Sequence, residues 1–286
     1  MNTNLTGVWG LHEASEPIVQ AALQQQQFRL NLAGHPEVPA AIAASSEYTP
    51  EGYWSKALSI GKNKDVVTIP VYGTMSRYYS YDNAFSNTFM IRMLDYIRQD
   101  ENKKGVVLDF NTNGGTVDST DEFAAAVAAF RQEKPIVASV KTAYSAGYWV
   151  ASQTNEIQIL PSPVAGVGSI GTIYFYVNQA KALEKAGLEV EIFRSTGSQD
   201  KARINSIEPL TEEARAEIQA LIDECNKLFK GGVRAGRGAK IQSDDVFTGK
   251  AYGYRDGIKQ GLADRTGSLQ TAYDQVISLS KQYKNA

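Results

Sequence analysis

Ser145 stands where a hydroxyl could become a nucleophile. It falls in AYSAGYWVAS (143–152), directly after the apolar run PIVASV and at the opening of a helical pattern, with small residues around it. A serine at a helix N-terminus lies at the positive end of the dipole, which favours negative charge developing beside it. Two further glycine-containing turns could serve the same reaction. NTNGG (111–115) follows the apolar run GVVLDF, and its paired glycines permit positive φ and let backbone N–H groups approach a bound oxygen. VAGVGSIG (164–171) places Ser169 where it could orient a partner. Taken singly, each segment also reads as ordinary structure: a strand-to-helix turn, an N-cap serine and a plain turn.

A serine nucleophile needs a base, and histidine is the usual one because it titrates near neutrality. The two histidines, His12 and His35, both precede the first clear strand, so a Ser/His/Asp triad would have to recruit that leading segment. No HExxH motif, paired cysteines or close His/Asp cluster supports a metallohydrolase, and neither metal nor cofactor is expected. Gly166, Gly168 and Gly171 imitate a dinucleotide fingerprint, but they lead into another strand instead of a helix. Cys225 is the sole cysteine, which excludes an internal disulfide and reads as a small apolar core residue.

Basic and acidic residues nearly cancel, 29 against 31, leaving no field to gather nucleic acid or an anionic membrane. The first residues lack the basic start and apolar stretch of a secretory signal, and the apolar stretch 164–177 is short and glycine-broken. A soluble, cytoplasmic protein without a membrane anchor is the expectation.

The elements that must position these turns follow from hydrophobic patterning. With 43% hydrophobic residues, the 286-residue chain can build a substantial core. Residues 1–64 carry the run Gln24–Gln27, Pro36, Pro39 and Pro50, and only short apolar groups, so they read as an N-terminal arm or peripheral segment. From 65 to 286 the texture is that of one domain. DVVTIPVY, GVVLDF, PIVASV, EIQIL, TIYFYV and LEVEIF read as buried strands. Helical stretches over 83–99, 117–131 and from near 145 alternate with them, which predicts an α/β fold with helices covering sheet faces. Thr211 can cap a helix running to about Lys230, with Ala214, Ile218, Leu221, Ile222, Cys225 and Phe229 on one face as core or subunit interface.

The three turns, in their order and spacing, resemble the signal peptide peptidase A family of Ser/Lys peptidases, relatives of the Clp protease and crotonase folds. The likeness runs through DVVTIPVYGTM, NTNGG, SAGYWVAS, GSIG and FTGKAYGYRDGIKQGLADRTG, so it covers residues 65–267. Asn113 and Ala146 depart from the family's usual proline and glycine. The resemblance implies repeated ββα units, Ser145 as nucleophile and Lys201, the only lysine between Lys185 and Lys227, as general base. It further implies an oxyanion hole from the N–H groups of Gly114 or Gly115 and Ala146, with Ser169 orienting the lysine. A lysine acts as base near neutral pH only after desolvation, so a largely dry pocket around Lys201 is expected.

Within that family the expected role is that of a homo-oligomeric phage or prophage head maturation (capsid assembly) protease, cleaving scaffold, portal or capsid proteins. A soluble peptide-degrading enzyme, a crotonase-like acyl-CoA enzyme and a non-catalytic capsid-assembly scaffold are the alternatives. Neighbouring portal and capsid genes distinguish the first, and a serine-directed fluorophosphonate the other two.

Overall fold

The computed structural model describes residues 7–11, 65–78 and 86–283. His12, His35 and most of the expected arm lie outside the described residues. Strands and helices alternate as β1 (Gly7–Leu11), β2 (Val66–Met75), α1 (Asn87–Gln99), β3 (Gly105–Thr116), α2 (Thr120–Glu133), β4 (Ile136–Tyr144), α3 (Ala146–Ala151) and β5 (Glu156–Ile159). There follow β6 (Gly166–Gly168), β7 (Ile173–Phe175), α4 (Ala180–Lys185), α5 (Glu212–Arg237), β8 (Ala251–Gly253), α6 (Tyr254–Lys259), β9 (Arg265–Thr266) and α7 (Leu269–Tyr283). β2, β3, β4 and β5 are parallel neighbours, and β9 adds in parallel to β5. β6 pairs in parallel with the end of β4, and β8 runs antiparallel to β6. The mixed α/β class is therefore as expected.

Both sheet faces are covered, which is why the central strands are almost continuously apolar. On one face α1 supplies Phe89, Met90, Met93, Leu94 and Ile97 at helical spacing, and α2 supplies Phe123, Val127 and Phe130. On the other, Ala272 and Val276 of α7 seal Val66, Val107 and Val137. Ser86 caps α1 by accepting the Phe89 N–H at 3.1 Å. Thr211 caps α5 as expected, accepting the Ala214 N–H at 3.2 Å.

Three expectations need correction. NTNGG does not end β3; the strand continues through it to Thr116, paired with β2 up to Gly115. LEVEIF is no strand: it lies irregular and unpaired after α4, with Leu188, Val190 and Phe193 exposed. A strand needs a partner for its backbone groups, and among the described residues none reaches this segment. From the leading segment, residues 7–11 add β1 to the sheet. Finally, α5 does not stop near Lys230 but runs on through Gly231, Gly232 and Gly236. Gly232 and Gly236 mark close approach, since a Cβ on Gly232 would strike the Trp149 indole and one on Gly236 the Ser152 carbonyl.

α5 ends on a buried ion pair. Arg237, 3% exposed, donates to Asp264 Oδ2 at 2.8 Å and to the Gly261 carbonyl at 2.7 Å, while the Ile157 N–H donates to the same carboxylate at 2.7 Å. Burial pushes the Asp264 carboxyl up, but the Arg237 guanidinium, Lys240 and the Ile157 N–H outweigh it and hold it below its ordinary value. A carboxylate depressed in the folded state stabilises above its unfolded pKa, and that contribution is lost as pH falls through the folded one. Asp264→Asn should cost about 3–5 kcal/mol at neutral pH, because it strands a buried arginine. In urea titrations the wild type should lose this margin below about pH 4, and the variant should show a flatter acid limb.

The two kinds of glycine in α5 separate by mutation. Gly231→Ala meets nothing within 4 Å and should stabilise by about 0.5–1 kcal/mol. Gly236→Ala should instead destabilise by about 1–3 kcal/mol, as overpacking does. Equal effects in thermal melts would show that α5 does not pack this closely.

Candidate active site

β4 and β6 together make the turn that carries Ser145. Thr142, Ala143 and Tyr144 pair with Gly166, Val167 and Gly168, and the Ser145 N–H then donates to the Gly168 carbonyl at 2.8 Å. This bends the chain sharply enough to put Ser145 at φ 52°, ψ −119°, a conformation that strains any residue with a Cβ. α3 starts at the next residue, so the Ala146 N–H is a first-turn donor with no acceptor inside its own helix. The Ser145 side chain is fully buried, and its Oγ has no hydrogen-bond partner. An unpaired buried hydroxyl on a strained backbone is costly twice over.

The rest of α3 is a buried peg. Every residue from Ala146 to Ala151 is buried, and Trp149 stacks on Phe229 of α5 with ring centroids 4.8 Å apart. Gly147 lets α3 settle on β3, since a Cβ there would lie 2.5 Å from Thr112 Cγ2. Tyr148 donates its hydroxyl to the Leu262 carbonyl at 2.9 Å. Thr112 also shapes the glycine turn: its Oγ1 accepts the Gly114 N–H at 3.0 Å and donates to the Gly73 carbonyl at 2.6 Å. Gly114 takes φ 103°, and Gly115 lies so close to Met75 that no Cβ fits.

Ser169 follows the carbonyl that anchors Ser145. It is buried, sits at φ 55°, and its N–H donates to the Lys250 carbonyl at 2.8 Å. Ser145, Ala146, Ser169 and the glycine turn are thus brought together at the ends of β3, β4 and β6. Lys201 is not brought to hydrogen-bonding distance of Ser145. It lies in the irregular segment after α4, and its side chain is exposed, so the dry pocket expected around it does not form within a single chain.

What patterning missed is the device that shapes the Lys201 loop. Arg194 donates to the Lys201 carbonyl at 2.7 Å and the Ala202 carbonyl at 3.2 Å, and its guanidinium also grips Glu208. Asn205 ties Glu208 to the Ala202 carbonyl, and Ala202 is held at φ 56°. The Arg194 guanidinium, then the Asn205 amide, bring the Glu208 carboxyl down to about 2, so the clamp persists through ordinary acid conditions. A second fixed cluster borders an open pocket lined by Val117, Trp149 and Leu228, where Arg77 bridges Asp118 and Glu122 at 2.7 Å each.

An unpaired, strained, buried serine at a helix N-terminus beside the paired glycines of β3 is an arrangement that can support acyl transfer. Residues 128–283 match the model of peptidase family S49, and the chain belongs to that family. It is 30% identical over 204 residues to the capsid assembly protease C of Escherichia phage lambda, covering 70% of this chain and 46% of that protein. The head-tail preconnector protein GP5 of Enterobacteria phage P21 is 26% identical, covering 80% and 46%, and protease 4 of Haemophilus influenzae is 25% identical, covering 76% and 35%. The chain therefore spans less than two thirds of the length of these relatives. Among solved structures, a membrane-bound stomatin-specific protease in complex with a substrate peptide matches with TM-score 0.38 and 14% identity over 73% of this chain and 77% of that one. An enoyl-CoA hydratase from Shewanella pealeana matches with TM-score 0.43 and 10% identity, over 76% and 70%. Among the described residues no helix is long and apolar enough to cross a membrane.

Backbone strain at Ser145 can be read directly. Ser145→Gly removes the Cβ that conflicts with φ 52° and should be more stable than Ser145→Ala by about 1 kcal/mol in urea titrations. Equal stabilities would mean that the turn relaxes without its hydroxyl.

Proposed function

We propose that this chain is a serine endopeptidase in which Ser145 is the nucleophile and Lys201 the general base. The observation that carries this reading is the fully buried, unpartnered Ser145 Oγ on a strained backbone at the start of α3. Ser145 attacks the scissile carbonyl, and the oxyanion is held by the Ala146 N–H together with the Gly115 N–H, the Gly114 N–H being already given to Thr112 Oγ1. Lys201 takes the serine proton and returns it to the leaving amine, with Ser169 orienting its ammonium group. Because Lys201 is exposed in the single chain, a second copy completes the site by covering the segment that bears it. Exposed Leu188, Val190 and Phe193, the last 88% accessible, offer the apolar surface for that contact, alongside Leu221 and Leu228 of α5. Likeness to two phage proteins, one of them named a capsid assembly protease, supports a head maturation role on scaffold, portal or capsid polypeptides.

A fluorophosphonate should label Ser145. Ser145→Ala and Lys201→Ala should each reduce peptide hydrolysis by about 10²–10⁴-fold, and the double variant should be no worse than either alone. The rate should rise into the alkaline range, without the limb near 6.5 that a histidine base gives. Phe193→Asp should yield a smaller species by light scattering and lose activity with it, whereas Ser145→Ala stays assembled. Retained hydrolysis by Lys201→Ala, or loss on mutating His12 or His35, would overturn the dyad.

A further inference from the structure

The sheet closes in an unusual place. β1 lies between β3 and β7 and runs antiparallel to both, with Trp9 opposite Thr116, Gly10 opposite Gly115 and Leu11 opposite Gly114. On its other side Gly7, Val8 and Trp9 pair with Phe175, Tyr174 and Ile173. Among the described residues β7 joins the sheet only through β1, so removing Gly7–Leu11 would leave a one-strand slot with an unpaired backbone edge on each side. One wall of that slot is the glycine turn, Gly114–Thr116. Ser145 lies close to the same level, since Ala143 pairs with Thr112 and Ser145 is two residues further on. The register therefore puts the Leu11 end of β1 nearest the nucleophile.

Such a slot binds any chain that can lie extended, because main-chain hydrogen bonds supply affinity whatever the side chains. A peptidase also needs its substrate extended and in register to bring one carbonyl to the serine. We propose that the slot between Gly114–Thr116 and Ile173–Phe175 is the polypeptide-binding site, and that Gly7–Leu11 occupies it in cis as an autoinhibitory strand which an incoming substrate must displace. The assignment of the slot to substrate rests on the peptidase reading above. A tethered strand competes at an effective concentration on the order of millimolar, so weak free peptides are excluded until the arm is drawn away.

The test uses the full chain carrying Ser145→Ala and a fluorescein-labelled peptide of the chain's own residues 4–14, read by anisotropy. Val8→Pro with Gly10→Pro removes two backbone N–H donors from β1 and should tighten peptide binding by about tenfold or more over the parent. With Ser145 restored, the same pair should lower KM for peptide hydrolysis and leave kcat unchanged. Should the prolines perturb folding, hydrogen exchange on the Ser145→Ala chain decides without them. Saturating peptide should deprotect residues 7–11 while 114–116 and 173–175 stay protected. Equal peptide affinity with and without the prolines, no binding by either, or continued protection of 7–11 in the peptide-bound chain would each overturn the proposal. Binding and exchange do not depend on chemistry at Ser145, so absent fluorophosphonate labelling would sink the peptidase reading and leave these outcomes standing.

Discussion

The structure depends on how closely β6 can be drawn against β4. The Ser145 N–H reaches the Gly168 carbonyl only because β6 is Gly-Val-Gly. A Cβ on Gly166 would strike the Tyr144 hydroxyl, and one on Gly168 would lie 2.9 Å from the Lys250 carbonyl. That tight three-strand layer of β4, β6 and β8 bends the chain at Ser145, and the bend sets the direction of α3. The packing of α3 onto β3, its aromatic stack on α5 and the anchoring of Tyr148 near Asp264 all follow from it. The strain stored at Ser145 is thus offset by packing spread over much of the domain.

Much of this was legible in the sequence, for identifiable reasons. The central strands are buried on both faces, so β2, β3 and β4 appear as continuous apolar runs. α1 and α2 announce themselves by periodicity, and α5 by the Thr211 cap. The serine and GSIG could be placed at strand ends because the apolar runs before them stop so cleanly, whereas the glycine pair continues β3. What escaped was information held in tertiary contacts. Gly231 and Gly232 look like a helix stop, yet Gly232 is present because the Trp149 indole lies where its side chain would be. LEVEIF has a strand's composition without a strand's partner. The Arg194 clamp joins residues across an irregular loop, where no period exists to reveal it. Membership of β1 in the sheet could not be read from five residues in an otherwise polar segment.

The two halves of the proposed dyad are built on different physics. Ser145 is fixed by packing, with every residue of the following helix buried. Lys201 sits on a loop shaped by hydrogen bonds to its carbonyls, among exposed apolar side chains. The serine is ready within the single chain. The lysine's surroundings depend on what else covers that surface.

The position of β1 has a consequence for selectivity. A slot bounded by strand edges on both sides reads conformation before it reads sequence. Five residues of extended backbone span about 17 Å, and a ligand must give up all its own hydrogen bonds along that length to fit. A folded domain, whose strands are already paired, cannot meet that demand. A terminus, a linker or a partly unravelled chain can. With the proposed ligand in that slot, the geometry amounts to a filter for foldedness, closed to compact proteins and open to their loose ends.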